Sequence, residues 1–102
     1  MAEESDLELV QRAQRGDKRA FDLLVLTDQQ KVAAVVSRYV REQADVLDVV
    51  QESFIKAYRA LPKFRGDSAF YTWLYRISIN TAKNYLVSQS RRPPGSDVDA
   101  EV

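Results

Sequence analysis

Residues 62–84 constrain the fold most, because they join a helix stop, a short basic loop with a glycine, and the start of a new helix. Proline disfavours the α conformation in the residue before it, so a preceding helix has to end at Pro62. The loop 63–66 follows, and Asp67 or Ser68 is predicted to cap the next helix. The chain before this stretch has to place the loop and the new helix.

The helix after the loop has two unlike faces when its residues are placed at about 100° intervals. One sector is mostly apolar and holds Phe70, Leu74, Ile77, Thr81 and Tyr85. Another sector holds Trp73, Arg76, Asn80, Lys83 and Asn84. We expect the first sector to be buried and the second to be exposed.

Three further helical patterns precede Pro62. Apolar residues recur every three or four positions in the second and third, and no strand pattern is present. The second helix is predicted to run to about residue 40. The predicted caps and breaks are Ser5 with Glu8 for the first helix, Gly16 and Asp17 at the first junction, and Asp45 for the third helix. The sequence therefore predicts an all-α fold, a compact bundle of three main helices plus a short N-terminal helix.

Composition limits the possible functions. The chain has 102 residues, enough for one core, and contains neither cysteine nor histidine. Thiolate nucleophiles, the usual zinc sites and the commonest general base are therefore excluded. We expect no enzymatic activity, no metal and no other cofactor. The acidic N-terminus lacks the features of a signal peptide, which fits a cytoplasmic protein.

The zero net charge conceals a strong asymmetry. Residues 1–55 carry 7 Lys/Arg and 11 Asp/Glu, whereas residues 56–92 carry 8 Lys/Arg and a single acid, Asp67. Residues 93–102 carry three acids and no base. A basic segment on a neutral protein indicates a surface that meets a polyanion, and the alternative is an ordinary solvated face.

The loop and the polar sector together suggest a surface for unpaired bases. Phe64 and Trp73 could stack on bases, and asparagines such as Asn80 can hydrogen-bond base edges. Gly66 would let backbone approach a ligand. Each residue alone has an ordinary structural explanation, since a lone helical tryptophan is more often a core residue. A helical protein-interaction module without nucleic-acid readout therefore remains an alternative, as does a duplex-reading repressor.

The third helix carries an acidic surface. Asp48 and Glu52 lie four residues apart on one face, with Gln51 beside them and Asp45 one turn earlier. Like charges at this spacing disfavour a helix slightly, which would make sense if a basic partner binds there. A solvated acidic face near a helix N-terminus is the alternative explanation.

Two segments, DVVQESFIKAYRAL and FRGDSAFYTWLYRISINTAKNYL, resemble region 2 of the bacterial extracytoplasmic-function sigma factors. Within that family they are most similar to the envelope-stress sigma E/AlgU group. The resemblance runs from about residue 9 to residue 94. It implies a promoter-specificity subunit of RNA polymerase whose third helix binds the β′ coiled coil of the polymerase clamp. The clamp-binding residues implied are Asp48, Gln51 and Glu52.

The resemblance also implies that the loop and fourth helix recognise and melt the promoter −10 element as non-template single strand. One flipped base is expected to enter a pocket formed by Lys63, Phe64, Arg65, Gly66, Asp67, Ser68 and Ala69. Upstream bases and backbone are expected to contact Trp73, Arg76, Asn80, Lys83 and Asn84, and phosphates to contact Lys56 and Arg59. We further expect an anti-sigma factor as partner, no small-molecule ligand and a monomeric protein.

Three features depart from the family pattern. Leucine follows Trp73 where housekeeping sigma factors carry a second tryptophan, which implies weaker melting and stricter promoter choice. Thr27 and Asp28 replace an expected basic or aromatic pair, which we interpret as a surface change. Residues 1–92 are expected to form the region 2 domain and residues 93–102 the start of an acidic, flexible linker, with the domain that binds the −35 element absent.

Overall fold

The computed structural model describes residues 2–90, with side chains from residue 6 onward. The helices are α1 (Ala2–Gln14), α2 (Lys18–Val36), α3 (Gln43–Ala60) and α4 (Phe70–Ser90), with a 3₁₀ turn at Leu61–Lys63. Residues 2–90 contain no strand, and the all-α prediction is confirmed. No helix among them is long and apolar enough to span a membrane. The predicted linker, residues 93–102, lies outside the described residues.

The junction between α1 and α2 is built as the sequence predicts. Gly16 ends α1 with a positive φ of 99°, and its N–H donates to the carbonyl of Ala13 at 3.0 Å. Asp17 caps α2 by accepting from the backbone N–H groups of Arg19 and Ala20. The Arg12 guanidinium donates to the same carboxylate at 2.9 Å and, together with the cap bonds, lowers the pKa of Asp17. The corner is therefore fixed by local interactions.

The other predicted helix starts are wrong by a few residues. Helix α1 begins at Ala2, so Ser5 lies in its first turn and is not its cap. Helix α3 begins at Gln43, and Asp45 lies in its first turn, where an acid favours the positive helix end. Helix α2 ends at Val36, and tighter turn hydrogen bonds continue through residue 40.

Helix α4 also starts later than its predicted caps. Its first turn begins at Phe70, and the carbonyl of Ala69 accepts from the N–H groups of Thr72 and Trp73 at 3.1 and 3.2 Å. The Ser68 hydroxyl donates to the same carbonyl at 3.3 Å. Neither Asp67 nor Ser68 caps α4, because residues 66–68 form a bend and the helix begins only after residue 69.

Large aliphatic side chains from every helix meet in one core, and α3 packs most extensively on α4. Small residues make this close approach possible, because Ser53 and Ala57 of α3 and Ser78 and Ala82 of α4 are all buried. The two serine hydroxyls donate to the carbonyls four residues earlier at 2.7 and 2.9 Å, so neither is left unsatisfied. Helix α4 is thereby held against α3 over its middle turns.

Asp28 is not on the surface, and the sequence interpretation of Thr27 and Asp28 is wrong for the second residue. Thr27 is exposed, whereas Asp28 is only 2% exposed and its Oδ2 has no hydrogen-bond partner among the described residues. Burial raises the pKa of Asp28, the negative charge of Asp6 raises it further, and Lys31 opposes both. The Asp28 carboxyl group is therefore buried on the inner side of α2, where its charged form is destabilised.

Candidate nucleic-acid interface

Pro62 and Gly66 determine the backbone conformation of the loop between α3 and α4. Pro62 lies in the 3₁₀ turn, where the Phe64 N–H donates to the carbonyl of Leu61 at 3.0 Å. Gly66 has a φ of 80°, and a Cβ added there would meet no atom within 4 Å. Glycine is therefore required by the backbone conformation and leaves open space beside the loop.

Three aromatic rings form the base of the loop. Phe64 lies with its ring centroid 4.8 Å from that of Trp73, and Phe70 lies 5.7 Å from Trp73. Trp73 is partly buried in this cluster, so the prediction that it stands fully exposed with the polar sector is wrong. Only its outer part is available to a ligand. Phe64 is also partly buried, which fixes its ring in place rather than leaving it mobile.

The loop faces a groove of about 690 Å³ that sequence reasoning describes only in part. Its near wall contains Phe64, Gly66, Ser68 and Ala69, as predicted. Its other walls come from residues that carried no predicted role, which are Asp6, Leu7 and Val10 of α1, Lys31 of α2, and Tyr71 and Tyr75 of α4. Lys63, Arg65 and Asp67 are exposed and do not line this groove. The structure therefore adds α1 to the loop site.

The polar side of α4 is solvent-facing and continues from the aromatic cluster. Arg76, Asn80, Lys83 and Asn84 are all exposed, as the helical wheel predicts. Asn84 also borders a smaller groove between α3 and α4, of about 260 Å³. Lys56, Asp48 and Glu52 line the same groove, so predicted DNA-binding and polymerase-binding residues lie side by side there.

Lys56 is paired within its own helix. Its Nζ lies 3.8 Å from the Glu52 carboxylate one turn earlier, and both side chains are largely solvent-exposed. Such an exposed pair adds little stability. Arg59 does not join Lys56 in this groove, because it lines the groove on the opposite side of α3.

That opposite groove runs between α2 and α3 and is mainly apolar. It has a volume of about 610 Å³, and its rim includes Leu47, Ile55 and Tyr58, which are 57%, 45% and 43% exposed. The apolar spacing of α3 includes Tyr58 and predicts an inward side chain. Instead, its ring lies edge-on against Phe21, with the ring centroids 4.9 Å apart, and remains open to solvent. Gln51 lines this groove, so the predicted polymerase-binding residues divide between the two sides of α3.

Comparison with known proteins finds similar sequences and similar folds. The Sigma-70 region 2 family model matches residues 24–92. The ECF RNA polymerase sigma-E factor of Salmonella typhimurium is 72% identical over 96 residues, which cover 94% of this chain and 50% of that protein. The chain thus spans about half the length of the curated relatives it matches.

Two solved structures are also similar. An NMR structure of an engineered region 2 of sigmaE in complex with GTAAAA has a TM-score of 0.82 and 62% identity, covering 87% of this chain and 93% of that one. A structure of CnrH in complex with the cytosolic domain of CnrY has a TM-score of 0.73 and 35% identity, covering 78% and 52%. Because its family model covers most of the folded chain and its fold matches a solved region 2, the chain belongs to the Sigma-70 region 2 family.

Proposed function

We propose that this chain recognises and melts the promoter −10 element as non-template single strand, using the loop and the polar side of α4. The observation that carries the proposal is the loop groove, in which the backbone at Gly66 lies beside the partly buried ring of Phe64. Its volume falls within the range of about 300–1,000 Å³ that is typical of small-molecule binding pockets. The similar region 2 of sigmaE, solved in complex with GTAAAA, supports the same assignment.

Melting requires a base to leave the stack, which costs a few kcal/mol. The groove offers the base a contact with Phe64 and the open loop backbone, and stacking on an aromatic side chain contributes about 1–3 kcal/mol. The exposed donors on α4 would bind neighbouring bases and the backbone. The residues proposed to contact DNA are Lys56, Arg59, Lys63, Phe64, Arg65, Gly66, Asp67, Ser68, Ala69, Trp73, Arg76, Asn80, Lys83 and Asn84. No covalent bond is made or broken in this process, so the chain would act without enzymatic chemistry.

RNA polymerase is proposed to bind α3 through the β′ coiled coil of its clamp. Asp48, Gln51 and Glu52 would contact it, as the family resemblance implies. The apolar rim at Leu47 and Ile55 extends this surface, because a partner helix can lay its apolar face into such a groove. An anti-sigma factor is proposed as a further partner, and the similar protein CnrH, solved in complex with the cytosolic domain of CnrY, supports a second protein partner.

Residues 1–92 would form this domain, with residues 93–102 beginning a linker, in a monomeric cytoplasmic protein. The α2–α3 groove also favours a second candidate, a helical protein-interaction module without nucleic-acid readout. Its apolar rim would serve that function without any contribution from the loop. The two candidates differ in a single property, which is affinity for a single strand of defined sequence.

Fluorescence anisotropy separates the two candidates. The chain would be titrated against labelled single-stranded GTAAAA, a scrambled strand of the same composition, and the corresponding duplex. We expect single-stranded GTAAAA to bind most tightly of the three. Its affinity should fall as the salt concentration rises, because the protein contacts phosphates. Equal affinity for all three ligands, or no binding to any, would overturn the proposed readout and leave the protein-interaction module.

A further inference from the structure

One side chain of α1 reaches the loop across the fold. Gln14, the last residue of α1, donates from Nε2 to the carbonyl of Leu61 at 3.0 Å and to the carbonyl of Phe64 at 2.8 Å. Both hydrogens of the amide are used, and both bonds span almost fifty residues of sequence. The amide therefore joins the end of α1 to both ends of the turn that precedes the loop.

The position of this contact matters because little else fixes the loop backbone. Among the described residues, no backbone hydrogen bond involves residues 65–68. The last bond before them is the one from Gln14 to the Phe64 carbonyl, and the next is at the Ala69 carbonyl, which starts α4. The near wall of the groove is therefore anchored at two points, one of which is a side chain of α1.

Gln14 is itself held in position by the corner between α1 and α2. Gly16 and Asp17 lie two and three residues after Gln14, and the Arg12–Asp17 ion pair brackets Gln14 in sequence. The far wall of the groove also belongs to α1, through Leu7 and Val10. A shift of the Gln14 contact would therefore change the distance between the two walls into which a base has to fit.

We propose that Gln14 is a positioning residue for base recognition, which sets the loop against α1 and so shapes the pocket for the flipped base. The inference rests on the proposed single-strand function and deepens it. Gln14 does not contact the nucleic acid; it acts through the backbone of Phe64. Loss of its two donors leaves the pocket residues present but incorrectly placed, so recognition of one base weakens more than general affinity for the strand.

The test compares the 102-residue protein with Gln14→Met, which keeps the side-chain length but has no donor. Each protein is titrated by anisotropy with GTAAAA and with six versions, each lacking one base. We expect Gln14→Met to bind the parent strand roughly tenfold more weakly, as loss of one or two hydrogen bonds implies. This defect should disappear for the one strand whose missing base would occupy the pocket, because nothing remains there to be misplaced.

Two controls keep the outcome interpretable. Gln11→Met changes an exposed glutamine on the same helix and should bind like the wild type. Gln14→Lys retains a donor of similar reach and should recover most of the affinity, with an unchanged helical signal by circular dichroism. Wild-type affinity for Gln14→Met, or an equal loss on all seven strands, would overturn the positioning role. If the wild type itself fails to bind GTAAAA, the proposed function fails instead.

Discussion

The two sides of α3 present opposite chemistry within one helix. Toward α2, Leu47, Ile55 and Tyr58 form an exposed apolar rim. Toward α4, the charged residues Asp48, Glu52 and Lys56 line a groove together with Asn84 of α4. The difference arises because adjacent residues point about 100° apart around a helix, whereas residues four apart share a face. One helix can therefore contribute to two separate binding surfaces while its inward face remains in the core.

The two surfaces of α3 should be separable by mutation. The loop side is ordered by ring packing and by Gln14, whereas the α2–α3 side needs only the packing of two helices. A substitution on one side leaves the backbone of the other in place. Mutations on one side of α3 should therefore change one binding activity and leave the other unchanged.

The largest effect is expected from Phe64→Ala. Removing the ring takes away the proposed stacking surface and should weaken binding of single-stranded GTAAAA by about 2 kcal/mol, roughly thirtyfold, in anisotropy titrations. The matched control is Tyr58→Ala, which removes a ring from the other groove and should not change this affinity. Equal losses for both variants would show that the two sides are not independent. Circular dichroism has to show that both remain helical.

The next effect concerns the opposite groove. Ile55→Lys places a charge on its apolar rim and should weaken binding of the β′ coiled-coil fragment by about 2 kcal/mol, as for a central interface residue. Isothermal titration calorimetry measures this directly. Asn80→Ala should leave the affinity for the β′ fragment unchanged while weakening the binding of the single strand. If Ile55→Lys binds the fragment normally, the α2–α3 groove is not the polymerase surface.

A smaller effect is expected from a substitution in α2, the helix that lines both the α2–α3 groove and the loop groove. Asp28→Asn removes a buried charge and should raise the free energy of unfolding at neutral pH by about 1 kcal/mol. The folded-state pKa of Asp28 is raised, so the wild type loses stability as pH rises from the ordinary value of about 3.9 through the raised pKa. The variant lacks this loss, and its advantage should grow over the same window.

Urea unfolding at several pH values measures that advantage. Asp22→Asn removes an exposed carboxylate from the same helix and should change stability little. Both binding affinities should be unaffected by Asp28→Asn, because the side chain lines neither groove. A pH-independent difference between variant and wild type would contradict the buried-charge explanation.

The smallest effect concerns the Lys56–Glu52 pair. Glu52→Gln frees Lys56 for a phosphate and removes a repelling charge, so single-strand affinity should rise by a few tenths of a kcal/mol at low salt. The gain should shrink as salt is added. Glu42→Gln, an exposed change at the start of α3, should show no gain. A lower affinity of Glu52→Gln for the single strand would mean that Glu52 supports DNA binding instead of opposing it.

The sequence predicted features that depend on neighbouring residues. Pro62, Gly66 and Asp17 act within a few positions of themselves, and the stop, the loop and the cap occur where expected. Features that depend on which helices become neighbours were missed or wrong. Asp28 is buried by packing of α2 within the bundle, and Tyr58 is left open because α2 covers only part of its ring.

The same distinction explains the candidate site. The exposed donors of α4 follow from helical periodicity, so Arg76, Asn80 and Asn84 were predicted correctly as surface residues. The contact of Gln14 with the loop joins residues almost fifty positions apart, and no local pattern indicates it. An amide near the end of α1 has no distinctive sequence signal. Only the tertiary arrangement shows that α1 belongs to the loop site.

A single titration tests the separation of the two surfaces most directly. Backbone amide signals of the ¹⁵N-labelled protein would be followed by NMR as single-stranded GTAAAA is added. Shifts are predicted at residues 64–69 and along the polar side of α4 from Trp73 to Asn84, with Leu47, Ile55 and Tyr58 unchanged. Shifts centred on the α2–α3 groove, with the loop unperturbed, would contradict the assignment of single strand to the loop side.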